Sequence, residues 1–185
     1  MNHWQLRQTA RIIEQGGIIA YPTEAVFGLG CDPLNPDAVH RLLALKHRPV
    51  EKGLVLIASN IEQLEPFMAP LDAKQLDTLK ASWPGPLTWL VPARPETPAW
   101  LKGHHDTIAV RVTDHPIAAA LCQTVGQALV STSANQTGQQ PAKSPIQVRH
   151  YFQNNLDRIV TGPLGNLANP TAIRDLHSNQ LVRPG

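Results

Sequence analysis

The sequence predicts an α/β fold: a single domain over residues 1–185, with an open, twisted, mixed sheet flanked by helices. Three observations predict it. Short apolar runs and stretches of helical period interleave along the whole chain. The hydrophobic content of 42% belongs to a folded globule and not to a disordered chain. A length of 185 residues supports one real core but not two comfortable ones. No repeat, low-complexity tract or linker marks a boundary.

The elements follow in order. Leu6, Ala10 and Ile13 share one face of a helix over 5–15, which ends at Gly16-Gly17. An apolar strand at 17–21 breaks at Pro22, and Gly28 and Gly30 then predict a tight backbone turn. Asn35-Pro36-Asp37 is a strong helix start, with a capping side chain, a first-turn Pro and an early acid. That helix runs to Lys46, whose charge suits the negative end of the helix dipole. Leu54–Ala58 reads as a strand, and 60–82 as a helix in two pieces split near Pro66 and Pro70. Trp83-Pro84-Gly85-Pro86 makes a rigid turn into a strand at 87–91. Another strand covers 107–113, a helix runs from His115-Pro116 to about Cys122, and a strand follows at 128–131. A helix at 145–153 precedes short strands near 157–160, 171–174 and 180–183.

Composition excludes several classes. A net charge of +2 is too mild for a bulk nucleic-acid binder, although it leaves room for a local basic patch. Cys31 and Cys122 stand in no metal or redox spacing and read as buried free thiols of a reducing cytosol. No segment reaches the roughly 18 apolar residues of a membrane span, and the N-terminus lacks the apolar region of a signal peptide. A cytoplasmic protein with no membrane partner is expected. There is no GxxxxGK[ST], HExxH or GxSxG, and Gly28-Leu29-Gly30 lacks the third glycine of a dinucleotide site. His104-His105-Asp106 are adjacent, and neighbours seldom converge on one metal ion, so they read as an exposed loop. The four Trp form no stacking platform for single-stranded nucleic acid.

Three stretches carry candidate chemistry. Lys46, Arg48 and Lys52 gather beside Pro49, just after the polar elbow Pro22-Thr23-Glu24. Three cations on a stiff loop are what a phosphate-bearing substrate needs, since Arg can grip two oxygens at once. In the strand 107–113, Ile108, Val110 and Val112 share the core face, and Thr107, Ala109, Arg111 and Thr113 the other. Small neighbours leave room for something Arg111 could hold, such as a carboxylate. In Ser131-Thr132-Ser133-Ala134-Asn135, an extended chain would point Ser131, Ser133 and Asn135 the same way. These residues line a polar pocket or cap a turn, and the sequence leaves both open.

Taken together, YPTEAVFGLG, KHRP, WPGPLT, AVRVTDHP, STSAN and the final RPG resemble the YrdC-like family, in order from about Gly17 to Gly185. The resemblance implies a large concave basic cavity. It implies an enzyme that makes threonylcarbamoyl-adenylate and pyrophosphate from ATP, L-threonine and bicarbonate, with Mg2+ carried by the ATP. Partner proteins would then move the group to a tRNA adenosine beside the anticodon. The family's KxR and SxN constellation would be Lys46, Arg48, Ser133 and Asn135, as the catalytic set. Lys46, Arg48, Lys52, Thr107, Ser133, Asn135 and Arg183 would contact ATP. Arg111 would bind the threonine carboxylate, with Thr23 and Ser131 orienting that substrate. Many relatives carry Thr and Tyr where this chain has Ala25 and Phe27, so two threonine contacts would be lost or moved. The rival expectation is a non-catalytic RNA-binding or ribosome-assembly factor using the same cavity, and direct tRNA binding is compatible with either. A second rival is an enzyme of the same fold making a different carbamoyl-adenylate.

Overall fold

The first helix starts earlier than its apolar face suggests. Residues 1–185, described by a computed structural model, open with α1 at His3–Glu14. The Asn2 side chain accepts from the Gln5 amide, and the Gln5 side chain accepts from the Asn2 amide. This reciprocal box satisfies two otherwise orphaned donors and sets the start.

β1 (Ile19–Pro22) pairs antiparallel with β2 (Phe27–Gly30). The tight turn expected at Gly28 and Gly30 is therefore corrected: both lie within β2. Their purpose is space. A Cβ on Gly30 would stand 2.8 Å from the Tyr21 ring and 2.7 Å from the Val130 carbonyl oxygen. Only glycine lets the strand approach that closely.

α2 (Pro36–Lys46) starts where the sequence places it, capped by the Asn35 side chain on the Ala38 amide. It ends at His47 in the left-handed region, φ 50°. β3 (Val55–Ala58) follows a one-turn 3-10 helix at Val50–Lys52. The two helical pieces expected over 60–82 reduce to one, α3 (Ala73–Ser82), opened by an Asp72–Gln75 capping box. Residues 62–67 form turns instead, since Pro66 and Pro70 would remove ladder hydrogen bonds.

β4 (Leu87–Pro92) and β5 (Thr107–Val112) flank a short helix the sequence does not signal, α4 (Ala99–Lys102). α5 (Pro116–Val125) is capped by His115, and β6 (Leu129–Ser133), α6 (Pro145–Phe152), β7 (Arg158–Ile159), β8 (Ala172–Asp175) and β9 (Leu181–Arg183) complete the chain.

The nine strands form one mixed sheet in the order β7-β1-β2-β6-β3-β5-β4-β8-β9. Side-chain alternation divides its two faces. Ala20, Leu29, Leu56, Val110 and Val130 enter a 30-residue core closed by α2, α3, α4 and α6. Ile19, Tyr21, Ile57 and Leu129 enter a core of only nine residues, under α1 and α5. The disparity means that two helices cover part of the second face and leave the rest open. Across that open part runs a register row from four strands: Ser131 opposite Val55, Val55 opposite Ala109, and Ala109 opposite Leu90.

Candidate active site

A cavity of about 360 Å³ lies over that row, and Ser131, Val55, Ala109 and Leu90 all line it. The sheet supplies a flat, partly polar floor, and loops supply the charge. Its walls carry five Lys and Arg side chains and one carboxylate, Glu24.

Arg111 is the best-anchored of these groups. β5 presents it on the open face, where it is only 6% exposed. Its Nη1 donates to Thr171 Oγ1 at 2.5 Å and to Thr88 Oγ1 at 3.3 Å. Its Nη2 faces Glu24 Oε2 at 3.2 Å, and Thr113 Oγ1 donates to Glu24 Oε1 at 2.5 Å. Nε has no partner. Glu24 reaches this place because the turn after β1 folds back over the open face to a strand four positions along the sheet. A buried pair of this kind persists only when its remaining hydrogen-bonding capacity is also met, and here three threonine hydroxyls meet much of it.

The three cations expected on one loop fall in different places. Arg48 lines the cavity, with Nε and Nη2 both held by the Gly53 carbonyl at 3.3 and 2.9 Å. Lys52 lines it as an exposed side chain. Lys46 instead belongs to the last turn of α2, is 4% exposed, and does not line the cavity. Its ammonium donates to the Ser133 carbonyl and, at 2.7 Å, to the Asn135 carbonyl. Thr137 closes the clasp by donating its amide and hydroxyl to the Lys46 carbonyl. Burial, and then the neighbouring Arg48, pull the Lys46 ammonium down to about 8. Burial likewise lowers the Arg48 and Arg183 guanidinium values.

Ser131 and Ser133 line the cavity, and so does Thr107. Asn135 does not: its Oδ1 accepts from Ser133 Oγ at 2.6 Å, while its Nδ2 donates to the Gln136 and Gln139 carbonyls. Both readings of that segment hold, pocket lining at the serines and a braced turn at Asn135. Thr23 lines the cavity, but its hydroxyl donates to the Val26 carbonyl at 2.7 Å within its own turn. Arg183, on β9, donates Nη2 to the Thr171 carbonyl at 2.8 Å and so adjoins the Arg111 cluster. Ala25 lines the cavity, whereas Phe27 points into the opposite core.

Sequence reasoning missed Lys102, His105 and Thr171 as lining residues. For the first two, the structural reason lies at Gly53 and Gly103. Gly103 has φ 64°, and a Cβ there would stand 2.2 Å from the Glu51 carbonyl oxygen. Leu54 donates its amide to the Leu101 carbonyl at 2.8 Å. The 3-10 turn and α4 thus touch backbone to backbone, which sets Lys52 and Lys102 on one wall. Thr171 lies in a Pro-rich tail with no pattern to mark it. No cluster of three His, Cys, Asp or Glu exists that could hold a metal ion. No helix is long and apolar enough to cross a membrane.

Comparison with known proteins agrees with this architecture. The Sua5/YciO/YrdC family, described as telomere recombination, matches residues 11–185. A threonylcarbamoyl-AMP synthase of Stutzerimonas stutzeri is 53% identical over 181 residues, covering 98% of this chain and 97% of that one. The crystal structure of P. abyssi Sua5 complexed with L-threonine superposes with a TM-score of 0.93 at 32% identity, over all of this chain and 55% of that one. E. coli YciO superposes with a TM-score of 0.87 at 28% identity, over all of this chain and 90% of its own.

Proposed function

The chain belongs to the Sua5/YciO/YrdC family, and from that premise we infer that it makes threonylcarbamoyl-AMP from L-threonine, bicarbonate or carbon dioxide, and ATP, releasing pyrophosphate. One observation carries the reading. In a chain so similar to a synthase of that product over nearly its whole length, Arg48, Lys52, Lys102 and Arg183 line one cavity with buried Arg111, and none of the four has a carboxylate partner.

The reaction needs no covalent nucleophile from the enzyme. The threonine amine, once deprotonated, adds to carbon dioxide and forms a carbamate. A carbamate oxygen then attacks the α-phosphorus of ATP in line, and the bond to the β-phosphate breaks. The protein positions the partners and neutralises charge on the departing pyrophosphate. Arg111 binds the threonine carboxylate, with Thr23 and Ser131 beside that substrate. Arg48, Lys52 and Arg183 take the phosphates, and Thr107 and Ser133 face the nucleotide. Lys46 and Asn135 act from behind the wall, holding the Ser133 segment in place. Magnesium would come with ATP and supply charge neutralisation at its phosphates, since the cavity offers one carboxylate, Glu24, and no cluster of three His, Cys, Asp or Glu to hold the ion itself. The product serves partner proteins that modify a tRNA adenosine beside the anticodon, in the cytoplasm.

The test is mass spectrometry of products together with pyrophosphate release. Threonylcarbamoyl-AMP should form only when ATP, threonine and bicarbonate are all present. Pyrophosphate release indifferent to threonine sinks the reading, and RNA binding without turnover favours a non-catalytic module.

A further inference from the structure

The charge in the cavity is unevenly divided. Five Lys and Arg side chains line it, and the single carboxylate, Glu24, is paired with one of them, Arg111. Around that pair the net charge is zero. Arg48 and Arg183 are tied only to carbonyl oxygens, and Lys52 and Lys102 face the same cavity without a counter-charge. One part of the cavity therefore suits a polyanion, and the part at Arg111 suits a ligand that carries both signs.

Both members of the buried pair also keep unused capacity. A carboxylate can accept about four hydrogen bonds, and Glu24 takes one at each oxygen in this structure. The Arg111 Nε hydrogen has no acceptor although the side chain is almost fully buried. A lone Arg would bind any carboxylate. An Arg paired with a carboxylate that still has free lone pairs asks its ligand for a cation as well.

Resting on the reading that this cavity takes an amino acid beside ATP, we propose that Glu24 accepts the α-ammonium of the amino-acid substrate while Arg111 holds its carboxylate. Glu24 is then a specificity-determining residue. It selects zwitterionic α-amino acids against hydroxy acids and simple carboxylates of the same shape.

Titration calorimetry with three probes tests this: L-threonine, (R)-3-hydroxybutanoate, which lacks the ammonium, and L-threoninol, which lacks the carboxylate. Wild-type protein should bind L-threonine at least about tenfold more tightly than (R)-3-hydroxybutanoate, the scale of one charge-assisted hydrogen bond. Glu24→Gln keeps the shape and removes the charge. It should weaken L-threonine by about tenfold or more while leaving (R)-3-hydroxybutanoate unchanged or tighter. If Glu24 only steadies Arg111, the substitution weakens both carboxylates equally and spares L-threoninol, and the proposal falls. It falls equally if wild type binds L-threonine and (R)-3-hydroxybutanoate alike, a result that needs no folded variant. Wild type that binds no L-threonine overturns the synthase reading itself, and this inference with it.

Discussion

Lys46 and Arg111 are both buried cations, yet one is held by carbonyls and the other by a carboxylate, and they should respond differently to change. The Lys46 ammonium sits at about 8 in the folded chain, below its ordinary 10.5. Below pH 8 both folded and unfolded chains hold the proton. Between about 8 and 10.5 the unfolded chain still holds it and the folded chain has released it, so this group's contribution to stability rises with pH. The melting temperature of wild type relative to Lys46→Met should therefore climb across that window. The buried thiols, pushed up to about 12 by desolvation, act in the opposite direction but are common to both proteins and cancel. A flat difference would show that Lys46 keeps its proton throughout. Arg111→Ala should cost about 3–5 kcal/mol in denaturant unfolding, since it strands Glu24 in the interior. Arg111→Lys keeps the charge but loses the planar fork, and should weaken threonine about tenfold while ATP affinity barely moves. Equal losses for both ligands would make Arg111 a purely structural support of the pocket.

Lys52 and Lys102 share a wall because two short elements, the 3-10 turn at Val50–Lys52 and α4, meet at glycines. Gly103 combines a positive φ with a Glu51 carbonyl that leaves no room for a Cβ. Gly103→Ala must therefore shift one element away from the other. We expect it to raise the KM for ATP several-fold and lower the melting temperature, with threonine affinity retained, because Arg111 lies toward the far end of β5 and Glu24 in the turn after β1. A threonine loss as large as the ATP loss would mean that the wall and the Arg111 pair move as one unit. Gly126, with φ 77° but nothing within 4 Å of a built Cβ, is the control: strain there has no neighbour to push.

Over the whole molecule, the half-covered second face of the sheet is what makes a site possible, and filling it should stabilise the fold. A ligand at about 100 times its Kd adds ~2.7 kcal/mol, or roughly 5–10 °C in Tm for a chain of this size. MgATP should produce such a shift by differential scanning fluorimetry, L-threonine should add to it, and absence of any shift at saturating MgATP would argue that the cavity is not the nucleotide site. Much of this plan was legible in the sequence. Helix starts at Asn35 and His115, the strands other than β2, and the polar face of 107–113 follow from capping chemistry and from periods of 2 and 3.6, which are local properties. Of the residues singled out in the sequence, Arg48, Lys52, Arg111, Ser131 and Ser133 line the cavity. Local patterns could not show that Lys46 turns away to hold the 133–137 loop, that Asn135 braces the same turn, or that the Thr23 hydroxyl is spent within its own turn. Nor could they show that Glu24 meets Arg111, 87 residues away. Each of those depends on which strands become neighbours, and strand order is settled by long-range packing, in which the 30-residue core on one face outweighs any single polar contact on the other.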